Sequence, residues 1–310
     1  MRIVSLFAGA GGLDLGFVQA GHKVIWANDI DKDAVETYKM NIGDHIICDT
    51  IENIPSESIP KSDIVIGGFP CQGFSVANMK RHIEDNRNNL YLELVRVLRD
   101  KQPKFFLAEN VTGLLTIGQG RVLEMILKDF EDVGYTVKYR VLNAADYGVP
   151  QLRKRVFFIG TRVGIRKNID FPPQTHADPS LKPKPPLKRW VSIGEALKDI
   201  PEPEDAPNIP NHTYSKYKLR FNGYLGHRFI DPNRPAPTVT ARGDNRGGVV
   251  VLHHPHNHRR MSARELAITQ SFPVDFVFYG CRSHVYRQIG NAVSPLLAKA
   301  IASIFSNEKK

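Results

Sequence analysis

Two residues of this sequence sit where an apolar run ends and chemistry could begin, one a thiol and one a carboxylic acid. Cys71 lies in GGFPCQGFS, where Pro70 and Gly73 hold it on a short turn. A thiol is a soft nucleophile, with roughly a few per cent thiolate at neutral pH unless its surroundings lower its pKa. An ordinary cysteine is a small core residue, and Cys48 and Cys281 are read that way. Pro-Cys-Gln-Gly at a strand's C-terminal end is a poor core environment. Glu109 closes KFFLAEN beside Asn110, and a lone acid there would be a solvated strand end. In QLRKR, alternation along extended chain puts Arg153 and Arg155 on one face. Both could orient a carboxylate or a ligand carbonyl.

A second constellation lies nearer the N-terminus. Gly9, Gly11 and Gly12 in SLFAGAGGLDLGF let the backbone turn tightly and approach a ligand. Asp14 stands where the third glycine of a dinucleotide G-x-G-x-x-G turn would be. A following run ends in Asn28-Asp29, where a carboxylate can accept from ribose hydroxyls. A third ends at Asp49, placed to meet an adenine amino group. Together these describe a pocket for an adenosine-bearing cofactor. On these residues alone, NAD, FAD and a merely structural turn stay open.

The elements that must position these groups follow from periodicity. Short apolar runs at 2–7, 23–27, 45–48, 63–67, 104–108, 135–142 and 155–160 predict strands. Helical patterns fall at 13–20, 33–41, 90–100 and 120–133. That alternation predicts an α/β chain with a doubly wound, mainly parallel sheet. Ligands in such sheets bind outside the C-terminal strand ends, where the motifs stand. The pattern breaks after Thr161. Six prolines in 171–186 predict an extended connector, and turn residues dominate from there to about 250. Helical patterning returns at 262–270 and 293–305, so a smaller irregular domain is expected as an insertion, with the last helix packing back on the first domain.

Composition narrows the class. Of 310 residues, 42% are hydrophobic and 24% charged, which describes a globular chain. No apolar run approaches the ~20 residues of a membrane helix, and nothing at the start reads as a signal peptide. Three cysteines without CxxC spacing argue against a disulfide framework or zinc site and for a reducing cytoplasm. The net charge of +10 suits a polyanion. Residues 171–260 carry 14 Lys and Arg against 8 Asp and Glu, interleaved with Trp190, Tyr214, Tyr217, Phe221, Tyr224 and Phe229. Lys and Arg contacts to phosphate supply most non-specific nucleic-acid affinity. His253, His254, His256 and His258 have no cysteine or acid at ligand spacing, so no metal is expected.

The combination resembles the cytosine-5 DNA methyltransferases. In that family's order the chain carries FAGAGG, Asp29 and Asp49, GGFPCQGFS, DNRNNLYLEL, ENV, LNAADYGVPQLRKR, RPAPTVTAR, RRMSARE and GNAVSP. Among members it is similar to the compact bacterial enzymes of restriction–modification systems. The resemblance implies a Rossmann-like, S-adenosylmethionine-dependent fold and methyl transfer to carbon 5 of a cytosine flipped out of a specific short duplex sequence. It implies that Cys71 adds to carbon 6 and that Glu109 stabilises protonation at ring nitrogen 3. Arg153 and Arg155 would orient Glu109 and contact the base or nearby backbone. The stretch 74–88, with Lys80, Arg81 and Arg87, would close over the base.

For the cofactor, the resemblance implies contacts from Phe7, Ala8, Gly9, Ala10, Gly11, Gly12 and Leu13. Asp29 would meet the ribose, Asp49 the adenine amine and Ile30 the adenine ring, with Asn28 and Thr50 as further cofactor contacts. Pro70 and Leu90 would form walls, and Asn291, Ala292 and Val293 a lid. Ile30 departs from members that carry an aromatic there, which implies weaker stacking. Residues 1–170 with 284–310 would be the catalytic and cofactor-binding domain, and 171–283 the target-recognition domain and hinge. Lys216, Lys218, Arg220, Arg228, Arg242 and Arg246 are candidates for phosphate or guanine contacts. The implied enzyme is a cytoplasmic, nucleoid-associated monomer on double-stranded DNA, beside a cognate endonuclease but not stably bound to it. A tRNA cytosine methyltransferase would share the catalytic motifs, but that subfamily's Cys-Phe-Thr tripeptide is absent. A dinucleotide oxidoreductase would leave PCQ, ENV and QLRKR without tasks, and a silent DNA-binding protein would not need the thiol and its acid.

Overall fold

The structure is a computed structural model that describes residues 1–70, 89–167, 169–182, 185–214, 216, 230–241, 252–256 and 259–306. Seven strands form its central sheet: β1 (Arg2–Leu6), β2 (Lys23–Asp29), β3 (Ile46–Cys48), β4 (Ile64–Gly68), β5 (Phe105–Val111), β6 (Tyr135–Asn143) and β7 (Lys154–Arg162). Their order is β3-β2-β1-β4-β5-β7-β6. β1 to β5 run parallel, while β7 is antiparallel to both β5 and β6. The expected mainly parallel sheet is present, with its one reversed strand beside the edge.

Near-continuous apolar strands are what a sheet covered on both faces requires. Ile3, Ile64, Ile66, Phe105, Leu107, Phe157 and Ile159 face one layer, with Phe17 of α1 (Gly12–Gln19) and Leu297, Ile301 and Phe305 in or just after α8 (Pro295–Ser303). Their neighbours Val4, Val65, Phe106, Ala108, Val156 and Phe158 face the other, against α3 (Asn89–Lys101) and α4 (Arg121–Asp132). α8 lies tightly on α1: a Cβ at Gly16 would stand 2.3 Å from Ala298 Cβ and 2.6 Å from Lys299 N. Across β2, α2 (Lys32–Asn41) begins at Asp31, whose side chain caps the Asp33 and Ala34 amides.

A third apolar cluster gathers Ile193 and Leu197 of α5 (Ile193–Leu197), Ala236, Val239, Leu266 of α6 (Ala263–Thr269) and Phe272, Phe276 and Phe278. Val285, Tyr286 and Ile289 of α7 (Arg282–Asn291) join it, as does Ala10 of the glycine turn. The proline-rich stretch folds back on itself, so that β8 (His176–Ala177) pairs with β9 (Lys188–Arg189). Among the described residues, no helix is long and apolar enough to cross a membrane.

Candidate active site

Chain order reverses at β1, which has β2 on one side and β4 on the other. Open α/β sheets bind ligands at such a switch point. β1 ends at Leu6, and three of the next five residues adopt left-handed backbone: Phe7 (φ 54°), Gly9 (φ 55°) and Gly11 (φ 85°). At Phe7 a side chain makes this conformation cost on the order of 1–3 kcal/mol, a strain typical of ligand-holding turns. Gly12 opens α1 against the C-terminal segment, since a Cβ there would lie 2.4 Å from Val293 O. Gly11 serves another purpose than expected. Its Cβ position is 2.2 Å from Ile42 Cδ1 and 2.9 Å from the Tyr38 ring, so it packs on α2 and does not line the cavity.

The two acids at the strand ends are held by backbone and amide donors. Asp29 Oδ2 accepts from Gly9 N at 2.7 Å and Oδ1 from Asp31 N at 2.8 Å. Burial raises the Asp29 pKa against these bonds. Asp49 Oδ1 accepts from Thr50 N at 2.7 Å and Asn53 Nδ2 at 2.9 Å. Asn28 ties the two strand ends together by donating to Asp49 O at 3.2 Å, and its buried Oδ1 has no partner. Ile30 is 70% exposed beside them.

β5 brings Glu109 to the same sheet edge. Arg155 Nε lies 3.1 Å from Glu109 Oε1, with the two side chains 16% and 12% exposed. Burial raises the Glu109 pKa, while the charges of Arg155 and Arg153 draw it down. Gly68 leaves room for this carboxylate, because a Cβ there would sit 3.0 Å from Glu109 Oε2. Sequence reasoning placed both arginines on Glu109. The structure gives Arg155 that ion pair, whereas Arg153 donates to Val239 O and Gly290 O, both at 2.9 Å. Burial, then the neighbouring Arg155 charge, lowers the Arg153 pKa. Its Nε is buried without a partner, so Arg153 joins remote backbone segments at the cavity wall.

A cavity of about 850 Å³ unites the two constellations. Its lining includes Phe7, Ala8, Gly9, Ala10, Gly12, Leu13, Asn28, Asp29, Ile30, Asp49, Thr50, Pro70, Leu90, Asn291, Ala292 and Val293. Glu109, Arg153 and Arg155 line the same space. Cys71 and the stretch 74–88 lie outside the described residues, as do Lys218, Arg220, Arg228, Arg242 and Arg246. Lys216 is exposed.

Several contacts at this site were not assigned from the sequence. Asn110 donates to Phe69 O at 3.0 Å and accepts from Val111 N at 2.8 Å, which fixes the backbone leading into Pro70. Arg287 and Gln288 line the cavity from α7. Arg287 also pairs with Asp31 at 3.1 Å. Gln151 and Gln270, both fully buried, bond side chain to side chain at 3.0 Å. Gln151 opens the QLRKR motif, whereas for Arg287 and Gln288 only the neighbouring GNAVSP gave a hint. In RRMSARE, Arg259 pairs with Glu265 and Glu202 at 2.7 Å each, and Arg264 donates to three carbonyls.

The sequence matches the family described as C-5 cytosine-specific DNA methylase over residues 1–306. It is 40% identical to the type II methyltransferase M.NgoFVII of Neisseria gonorrhoeae, over 99% of this chain and 87% of that protein. It is 37% identical to the type II methyltransferase M.BsuRI of Bacillus subtilis, over 99% of this chain and 79% of that one. A crystal structure of a prophage-encoded E. coli protein described as a DNA modification methyltransferase superposes with a TM-score of 0.75. The two share 25% identity and 98% of each chain is covered.

Proposed function

The chain belongs to the C-5 cytosine-specific DNA methylases, and from that membership we propose that Cys71 is its nucleophile, Glu109 the acid acting at the base, and S-adenosylmethionine its methyl donor. The observation that carries this reading is the shared cavity: a buried, arginine-paired carboxylate and an adenosine-type pocket open into one space.

The cavity's residues fit that donor. Its volume is within the range of cofactor pockets, and the Asp29 and Asp49 carboxylates keep lone pairs beyond the bonds they already accept. The orphaned Asn28 Oδ1 is a buried acceptor awaiting a donor. Close contact of Gly12 with Val293 lets the glycine turn and residues 291–293 grip one molecule from two sides. When bound, the donor supplies an electrophilic methyl group on a sulfonium.

Carbon 5 of cytosine is a weak nucleophile. Attack of the Cys71 thiolate on carbon 6, with Glu109 stabilising the proton at ring nitrogen 3, turns the ring into an enamine reactive at carbon 5. Loss of the carbon 5 proton and expulsion of the thiolate restore aromaticity. Splitting one hard displacement into two easier steps is the gain of covalent catalysis. Arg155 holds Glu109 in place, and its burial sets the carboxyl towards keeping a proton. The base must leave the duplex first, at a cost of a few kcal/mol.

Residues 1–170 with 284–310 form the catalytic unit in this reading, and 171–283 read the DNA. α7 is shared between them, since it closes the cavity and also packs into the third apolar cluster. The type II names of its relatives favour a role in restriction–modification. In this reading the enzyme is a monomer acting in the cytoplasm on chromosomal DNA, beside a cognate endonuclease it does not stably bind. The test is covalent trapping on a duplex carrying 5-fluorocytosine, which has no carbon 5 proton to lose. Native protein should form a stable adduct and Cys71→Ser should not. No adduct with native protein would sink the assignment.

A further inference from the structure

Asp14 is a buried carboxylate in the cavity wall to which the reaction above assigns no task. It lies in the first turn of α1 and is fully buried. Ser5 Oγ donates to its Oδ2 and Tyr38 Oη to its Oδ1, each at 2.9 Å. The single Tyr38 hydroxyl proton is thereby used, so in the 3.2 Å contact with His45 the imidazole Nε2 must be the donor. Among the described residues, the groups facing Asp14 are Ser5 from β1, Tyr38 from α2 with His45 behind it, and the Asp29 carboxylate from β2. None of them brings a positive charge at neutral pH, because burial lowers the His45 pKa. Two neutral donors and the positive end of α1 favour the anion. They do not offset its desolvation, and the Asp14 pKa is pushed up to about 6.

A buried anion without a protein cation is costly, and an asparagine would avoid the cost. Its position beside a ligand cavity supplies the missing partner. We propose that Asp14 is a specificity-determining residue whose buried negative charge attracts the cationic end of the methyl donor, so that the cationic donor is held more tightly than it would be without that charge, and its net-neutral product is not. The charge acts through a low-dielectric wall and not by direct contact, where it is screened least. This rests on the S-adenosylmethionine reading and extends it to the order in which donor and product occupy the site.

The test compares four ligands by calorimetry on the native chain and on Asp14→Asn. S-adenosylmethionine and sinefungin carry a net positive charge, whereas S-adenosylhomocysteine is net neutral and methylthioadenosine has no charged group. Asp14→Asn should weaken the first two about ten-fold and the last two less than about two-fold. The native preference for S-adenosylmethionine over S-adenosylhomocysteine should fall as pH drops through about 6, because protonation removes the charge. In Asp14→Asn that ratio should be flat; Asp29 and His45 remain to titrate in both proteins, so a fall that persists in the variant would belong to them and would overturn the assignment to Asp14. Tyr38→Phe removes one donor to the anion, and should move the fall to higher pH even if Asp14→Asn does not fold. Equal weakening of all four ligands, or a Tyr38→Phe profile that does not move, would overturn the proposal alone. Failure of the native chain to bind any of them would overturn the donor reading and the proposal together.

Discussion

Glu109 shows how one side chain is set by opposing forces. Desolvation raises its pKa and the Arg155 guanidinium lowers it while fixing its orientation at 3.1 Å. With burial the larger influence, the carboxyl retains a proton more readily than a solvated one, which suits sharing a proton with a ring nitrogen. Glu109→Gln keeps the shape and a hydrogen bond but cannot exchange that proton. Its single-turnover methylation rate should fall by about 10²–10⁴ while duplex affinity stays within a few-fold. A rapid-quench experiment with labelled donor measures this, and a loss below about ten-fold would count against the role given to Glu109. At this scale the sequence was informative wherever a candidate residue closes its own apolar run, as Asp29 and Glu109 do. It was uninformative where the partner is remote. Gly11 meets Tyr38 and Ile42, and Arg153 meets the carbonyls of Val239 and Gly290, contacts that no local pattern encodes.

Strands were legible at the sheet edge as well as in its centre: β6, mostly exposed, lies within one residue of its expected 135–142. Strands covered on both faces carry unbroken apolar runs, so β1, β4 and β7 stood out within a residue or two of their observed bounds, while β5 continues three residues past its apolar run to Val111. The reversed direction of β7 did not, because side-chain alternation has the same period in parallel and antiparallel strands. α7 was missed for a different reason. RSHVYRQIGN is mostly polar, and it buries only Val285, Tyr286, Gln288, Ile289 and Gly290. The contact between α1 and α8 illustrates what an element-level fit demands. Gly16 sits where a Cβ would meet Pro295 O at 2.7 Å and Lys299 N at 2.6 Å, both backbone atoms that cannot rotate away. Gly16→Ala should therefore destabilise the chain by about 1–3 kcal/mol despite the better helix propensity of alanine. Chemical denaturation decides it: an unchanged or raised midpoint would mean that α8 is free to move off α1.

At the scale of the molecule, one buried polar network joins the segments on which the reaction depends. Gln151, two residues before Arg153, donates to Gln270 Oε1 at 3.0 Å and accepts from Val239 N at 2.8 Å. Gln270 also accepts from Ser294 Oγ at 2.7 Å and donates to Ile289 O at 2.8 Å. Arg153 completes the circuit through Val239 O and Gly290 O. The network therefore spans the approach to β7, the Val239 segment, α6 and the junction between α7 and α8 that carries the cavity-lining residues 291–293. Apart from the Arg153 Nε, the side-chain groups of this network are bonded to one another or to backbone, and such a buried network is rigid, so ordering one of its ends orders the other. Donor-site occupancy and duplex binding should accordingly tighten each other by the same factor, as linkage requires. Gln270→Ala strands the Ser294 hydroxyl and takes from the Gln151 amide one of its two acceptors, which should cost about 1–3 kcal/mol of stability. A loss of stability alone would fit any buried glutamine. What a connecting role adds is a loss of coupling, measurable as the ratio of duplex affinities with and without saturating S-adenosylhomocysteine. That ratio should fall towards unity in Gln270→Ala, and a folded variant with the native ratio would show that the two parts of the molecule bind their ligands independently.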